Sequence, residues 1–177
     1  MSNQKMDSRQ RLMWLVTCGM LIAIDVILSR YLSISIGTVG RLSLSFIAIS
    51  AAAYLYGPIS AMLVHALADI VGTLMASTQG AFAPGFTITA ALIGLIYGFF
   101  LYRSRSLWRI ILGVLGSQLF CSLLLNTYWQ KFYYNKPFLF TLSERAWQVG
   151  IMIVVQIGVL PAILLALERG VKPLLKR

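Results

Sequence analysis

Six apolar runs separated by short polar connectors set the pattern of the chain. They cover Leu12–Leu28, Leu42–Tyr56, Ile59–Ala76, Phe86–Tyr102, Leu107–Tyr128 and Ala146–Leu167. A helix of about 20 apolar residues crosses the hydrocarbon core of a bilayer. The pattern therefore predicts an all-α integral membrane protein, a compact six-transmembrane-helix bundle forming one domain over residues 1–177. The second run, closed by Gly57-Pro58, is shorter than a full crossing. One of its ends must stop inside the membrane, where protein or a water-filled cavity receives the freed backbone groups. No internal repeat, heptad series or low-complexity stretch interrupts the six runs.

Composition agrees with lipid as the solvent: 59% of residues are hydrophobic, 11% are charged, and mean hydropathy is +0.82. A soluble domain of this size does not hide so much apolar surface. The formal charge of +10 follows from 15 Lys and Arg against 5 Asp and Glu. It marks connectors between spans and not a nucleic-acid surface. With the N-terminus inside, the cytoplasmic segments hold ten basic residues: Lys5, Arg9, Arg11, Arg103, Arg105, Arg109, Arg169, Lys172, Lys176 and Arg177. The outer segments hold five: Arg30, Arg41, Lys131, Lys136 and Arg145. That excess predicts six crossings with both termini cytoplasmic. The first run follows basic residues but lacks a small-residue cleavage site, so it reads as a retained span. Cys18 and Cys121 lie inside apolar runs and read as packing residues.

The connector after the fifth run, "NTYWQKFYYNKPFLF" at 126–140, gathers aromatics, amides and amines. Arg41 precedes the second run, Arg145 opens the sixth, and Lys131 lies in the connector. If the three meet at one outward-facing cavity, they suit an anionic, planar ligand, because guanidinium takes a carboxylate through two parallel hydrogen bonds. Trp129, Phe132 and Tyr133 offer rings for stacking. Asn126 and Gln130, four residues apart, offer amide groups to a ring edge. The same aromatics and lysines also fit an interfacial belt. The connector "STQGAFAPGFT" at 77–87 has no charge and three backbone breakers, Gly80, Pro84 and Gly85. It reads either as a tight joint or as a flexible cover over that cavity. In the first run, Gly19 and Ala23 are four apart, a spacing that lets another helix approach closely.

Asp25 and Asp69 fall inside spans, where acids are costly and mark function by default. Asp69 follows His65 by four residues. One His and one Asp supply too few ligands for a metal site, and none is expected. The pair reads as a tie between helices, and Asp25 as a partner for Arg30. No Ser–His–acid set, zinc-protease motif or phosphate loop is visible, so no catalytic residues are assigned and the chain cannot power uphill transport alone.

Several stretches together resemble the substrate-binding S components of energy-coupling factor (ECF) vitamin transporters, most closely the folate family. They are "IAIDVILSRYLSI", "GRLSLSFI", "ADIVGTLM", "PGFTITAALIGLIYGFFLYR", "LNTYW" and "ER", spread over residues 12 to about 148. The chain departs from the family pattern at Ala48, where proline is usual, at Gln130, where an aliphatic residue is common, and near Gln148, where a basic residue is frequent. The resemblance implies a six-helix protein of a Gram-positive plasma membrane that binds folate from outside, or another vitamin or precursor. It implies docking, through Gly19 and Ala23, on a membrane T component carrying two cytoplasmic ATPases. Those partners use ATP and Mg; this chain is not an enzyme and holds no cofactor of its own. The connectors Ser33–Arg41 and Thr78–Phe86, with Ser33, Gly37, Gly80, Pro84 and Gly85, would gate the pocket. Arg41, Lys131 and Arg145 would meet the glutamate carboxylates of folate. Phe86, Trp129 and Tyr133 would flank its rings, and Asn126 and Gln130 would address the pterin edge. A membrane scaffold that binds only protein, and an intramembrane enzyme using His65 and Asp69, remain as rival readings.

Overall fold

The computed structural model describes residues 8–36, 40–75, 83–104 and 106–170. Gly37 and Gly80 of the expected gates lie outside the described residues, as do Lys5, Arg105, Lys172, Lys176 and Arg177 of the charge pattern. The elements in order are α1 (Ser8–Arg30), β1 (Ile34–Ile36), β2 (Gly40–Leu42), α2 (Phe46–Tyr56), α3 (Pro58–Met75), α4 (Pro84–Leu101), α5 (Leu107–Leu115), a π-helical segment (Gly116–Leu125), α6 (Asn126–Tyr134) and α7 (Phe138–Gly170). Among the described residues, five stretches are long and apolar enough to cross a membrane: α1, α3, α4, the continuous helix Leu107–Tyr134, and α7. The shorter apolar helix α2 joins them.

Helix α2 is the buried axis of the molecule. Phe46, Ala48, Ile49, Ala51, Ala52, Ala53 and Tyr54 are all buried. An 11-residue helix that is apolar on every side has no lipid-facing stripe and is covered by neighbours all round. Leu42 belongs to β2 rather than to this helix, because the chain before it folds into an antiparallel hairpin pairing Ile34 with Leu42 and Ser35 with Arg41.

Helices α3 and α4 approach at backbone distance. A Cβ on Gly94 would lie 2.4 Å from the Ala61 carbonyl oxygen, and one on Gly98 would lie 2.1 Å from Pro58 Cα. Small residues at such crossings replace the hydrophobic drive that lipid does not supply. The large apolar side chains instead coat the outside, among them Leu12, Leu15, Val16, Met20 and Ile24 of α1 and Val154 of α7. In water such a surface would aggregate; in a bilayer it is solvated.

The aromatic stretch 126–140 is not a connector. Residues 126–134 are helical and continue the helix begun at Leu107; α7 starts at Phe138, well before the expected Ala146. Only 135–137 are non-helical. Asn135 adopts a left-handed conformation (φ 51°), a common helix stop. Pro137 precedes the next helix, where its missing N–H costs nothing. Asn-Lys-Pro is thus the whole turn. Pro84 and Gly85 likewise sit in the first turn of α4 and not in a loose cover.

Candidate functional site

A cavity opens between α2, α3, α4, the π segment and α7, with about 490 Å³ of atom-free space including its mouth. Its wall is polar but almost uncharged. Ser43, Ser45, Ser117 and Ser122 bring hydroxyls, Gln118, Gln148 and Gln156 bring amides, and His65 brings the one imidazole. Phe46, Ile49, Ile93, Tyr97 and Met152 complete it. Ligand pockets commonly combine such an apolar body with a few placed polar groups.

Local backbone explains how the polar side chains reach one hollow. Between Gly116 and Leu125 the helix widens to the π form. Its i→i+5 bonding brings Ser117 and Ser122 round to the same side. Such widened turns are frequent at functional sites. On α7, Gln148, Met152 and Gln156 are four apart and share a face. The Tyr97 hydroxyl donates to Gln156 Oε1 at 2.8 Å and fixes that amide.

The predicted site residues are distributed unevenly around this hollow. Arg145 stands beside it, buried (8% exposed) one turn before Gln148. Its Nη1 donates to the Ser122 carbonyl at 3.0 Å, and its Nε has no hydrogen-bond partner. No carboxylate pairs with it among the described residues. Lys131 is exposed on α6 and does not line the cavity. Arg41 lies in β2, opposite Ser35, and only its backbone is described. Of the two cations whose side chains are described, Arg145 borders the cavity through its bond to Ser122, just outside the lining, and Lys131 does not.

Phe86, Trp129 and Tyr133 do come together, where the first turn of α4 meets α6. The Phe86 and Tyr133 rings are 6.4 Å apart, and those of Trp129 and Tyr133 are 5.9 Å apart. Trp129 lies flat on Gly85, where a Cβ would come within 2.4 Å of the indole, and its Nε1 donates to Thr89 Oγ1 at 3.1 Å. These rings pack on the protein; the rings that line the cavity are Phe46 and Tyr97. Asn126 and Gln130 continue the line of Ser122 along the helix, and their carbonyl oxygens are buried without a hydrogen-bond partner. Ser33 is half-buried, also with an unpartnered hydroxyl. Gly19 and Ala23 are exposed on α1, and a Cβ on Gly19 would meet nothing within 4 Å.

The intramembrane acids pair otherwise than expected. Asp25 Oδ2 is 2.7 Å from His65 Nδ1. Asp69 takes Arg30 at 3.3 Å and accepts from Thr87 Oγ1 at 2.8 Å. Arg30 also donates to Thr73 at 2.7 Å. Asp25 and Arg30 do not meet because residues five apart on a helix leave the shared face that a spacing of three or four gives. Gly72 makes room for the guanidinium: a Cβ there would lie 2.7 Å from Arg30 Nε. Sequence reasoning singled out His65 but not its place in the cavity. It missed Ser43, Ser45, Ser117, Gln118, Ser122, Tyr97 and Gln156 altogether. The signal was present in α7, where Gln148 and Gln156 interrupt an apolar span on one face.

A bundle around a buried short helix, with a polar hollow at its centre, matches known proteins. The family described as "ECF transporter, substrate-specific component" matches residues 14–167. This chain belongs to that family. The folate transporter FolT of Leuconostoc mesenteroides subsp. mesenteroides is 33% identical over 163 residues, which cover 88% of this chain and 84% of that one. A crystal structure of FolT bound with folic acid superposes with a TM-score of 0.75 at 31% identity, over 81% of this chain and 87% of the other. The biotin S component of an ECF-type ABC transporter superposes with a TM-score of 0.66 over 90% and 94% of the two chains; at 20% identity it speaks for the fold alone. The protein is thus a FolT-like S component, a membrane transporter subunit and not an enzyme by family.

Proposed function

We propose that this S component captures folate from outside a bacterial plasma membrane and delivers it inward. The observation that carries the reading is Arg145, a buried guanidinium beside the cavity with no carboxylate partner among the described residues. Buried charges are paired in stable proteins. A cation left without a partner in the protein calls for one from the ligand, and folate carries two carboxylates on its glutamate. The likeness to a FolT solved with folic acid supports the same ligand. The hydroxyl and amide wall suits the donor and acceptor edge of a pterin, with Phe46 and Tyr97 against its faces. Asn126 and Gln130, with their unpartnered oxygens, and the Phe86–Trp129–Tyr133 cluster lie outside the cavity lining, on the helix that continues the π segment and where it meets α4. Lys131, exposed beside Phe132 and Tyr133, suits the headgroup layer as well as an incoming carboxylate.

In this reading six segments cross the membrane with both termini cytoplasmic, following the excess of basic residues in the inner segments. The hairpin carrying Ser33 and Arg41 and the chain leading to Pro84 form the outer gate. The exposed Gly19–Ala23 face of α1 docks on a membrane T component whose two ATPases supply the energy, and tilting of the docked S component turns the cavity inward. Mass spectrometry of the small molecule retained through purification tests the ligand, together with calorimetric titration of folate against pteroate. Tight folate binding with at least tenfold weaker pteroate is expected. A second reading, a heterocycle lacking carboxylates, is favoured by the absence of Lys and Arg from the cavity lining among the described residues. Equal affinity for pteroate would select it and remove the role given to Arg145.

A further inference from the structure

We propose that His65 presents a fixed hydrogen-bond donor, Nε2–H, to the ligand, and that Asp25 is the positioning residue that sets this polarity. The inference rests on the reading that the central cavity binds a ligand.

Asp25 lies in the C-terminal third of α1 and is 0% exposed. Its Oδ2 meets His65 Nδ1 at 2.7 Å, and its Oδ1 has no hydrogen-bond partner. The nearby cation of the same region, Arg30, is engaged by Asp69, which also accepts from Thr87. Arg145 is engaged by the Ser122 carbonyl. The imidazole is therefore what neutralises Asp25. A carboxylate left uncompensated in a low-dielectric site is expensive, which favours a net charge of zero on the pair.

Two arrangements satisfy that condition. In one, the carboxylate is ionised and the imidazole carries both protons. In the other, the carboxyl is protonated, donates to Nδ1, and the neutral imidazole keeps its proton on Nε2. Both place a proton on Nε2. Only the net-negative state, with Nδ1–H against an ionised Asp25, would leave Nε2 bare. The buried carboxylate thus decides what the opposite edge of the ring offers, as the partner on one ring nitrogen sets the state of the other.

Nε2 has no hydrogen-bond partner among the described residues, while the ring lines the cavity. The neighbouring serines and glutamines both donate and accept, so they adapt to either kind of ligand edge. His65 does not adapt. It selects an acceptor, such as an oxo oxygen or an unprotonated ring nitrogen of a flat heterocycle, and rejects an N–H edge at that position. A site built to make one hydrogen bond discriminates strongly against analogues that cannot complete it.

The chain contains a single histidine, so ¹⁵N-histidine labelling reports on His65 alone in protein purified through a tag free of histidine. Expected is a protonated Nε2 in the free protein, whose resonance moves on saturation with folate. A bare Nε2, or a resonance indifferent to bound folate, overturns the proposal. In folate titrations, His65→Phe should weaken binding at least tenfold, whereas His65→Gln, which keeps an N–H donor, should stay within a few-fold. Equal loss in the two variants, or none, overturns it. Asp25→Ala should release the ring to a mixture of tautomers and weaken folate as His65→Phe does. A tautomer unchanged in Asp25→Ala would reduce Asp25 to a structural tie and overturn its positioning role. Failure of the unaltered protein to bind folate would strike the folate assignment separately, because the Nε2 state is read without ligand.

Discussion

Replacing Arg145 by Met separates a ligand-binding cation from a structural one, because the two roles predict opposite signs for stability. Methionine keeps the length and apolar stem of the side chain and removes the charge. Among the described residues the guanidinium makes one hydrogen bond, to the Ser122 carbonyl, and leaves Nε unsatisfied. Losing that charge-assisted bond costs about 1.5–3 kcal/mol. Removing a buried, unpaired charge returns several kcal/mol on an order-of-magnitude scale. The variant should therefore be at least as thermally stable as the parent without ligand, with a midpoint rising by about 2–4 °C per kcal/mol gained. Folate binding should move the other way. A charge-assisted hydrogen bond contributes roughly 1.5–3 kcal/mol, which corresponds to about 10- to 150-fold in Kd. The assay is a pair of measurements in one detergent: a melting curve of each ligand-free protein and a calorimetric folate titration. A destabilised Arg145→Met protein with unchanged folate affinity would refute the reasoning, since it would make Arg145 a cap for the widened helix and nothing more.

Gly98→Ala should lower stability by about 1–3 kcal/mol or prevent assembly, as the new Cβ would fall on the Pro58 backbone, which cannot rotate aside; melting of the purified variant reads this. Arg30→Leu should cost about 3–5 kcal/mol by stranding Asp69, while Arg30→Leu with Asp69→Leu should recover most of that loss, read by the same melts. Gly19→Leu should leave folding and folate binding intact, because nothing lies near the added side chain, yet abolish uptake when the S component is reconstituted with its T component and ATPases. Trp129→Ala should weaken the α4–α6 seam by about 3 kcal/mol or more through lost packing on Gly85 and the lost bond to Thr89, visible as a lowered melting midpoint.

What the sequence by itself determined follows from the one force that acts on the chain before it folds, its partition between water and lipid. Runs of apolar residues fix which segments are helical and membrane-embedded, and the shortness of the Leu42–Tyr56 run already requires something to receive its end. The polar residues inside the runs, Asp25, His65 and Asp69, stood out for the same reason, and Arg145 stood out at the mouth of the sixth. Their partners did not. Asp25 meets His65 across 40 residues and Arg30 meets Asp69 across 39, contacts that no local spacing encodes. The helix through 126–134 was hidden by its mean polarity, since composition reads amides and tyrosines as loop while backbone hydrogen bonding needs only an unbroken run without an early stop. The π segment was equally invisible, for a wider turn depends on how neighbouring helices pack against it. Only the tertiary structure decided that Ser43, Gln118 and Gln156 share a hollow, and that Arg145 rather than Lys131 borders it. A side chain's hydropathy sets its depth in the membrane, whereas the direction it faces is set by helix rotation, which packing alone supplies.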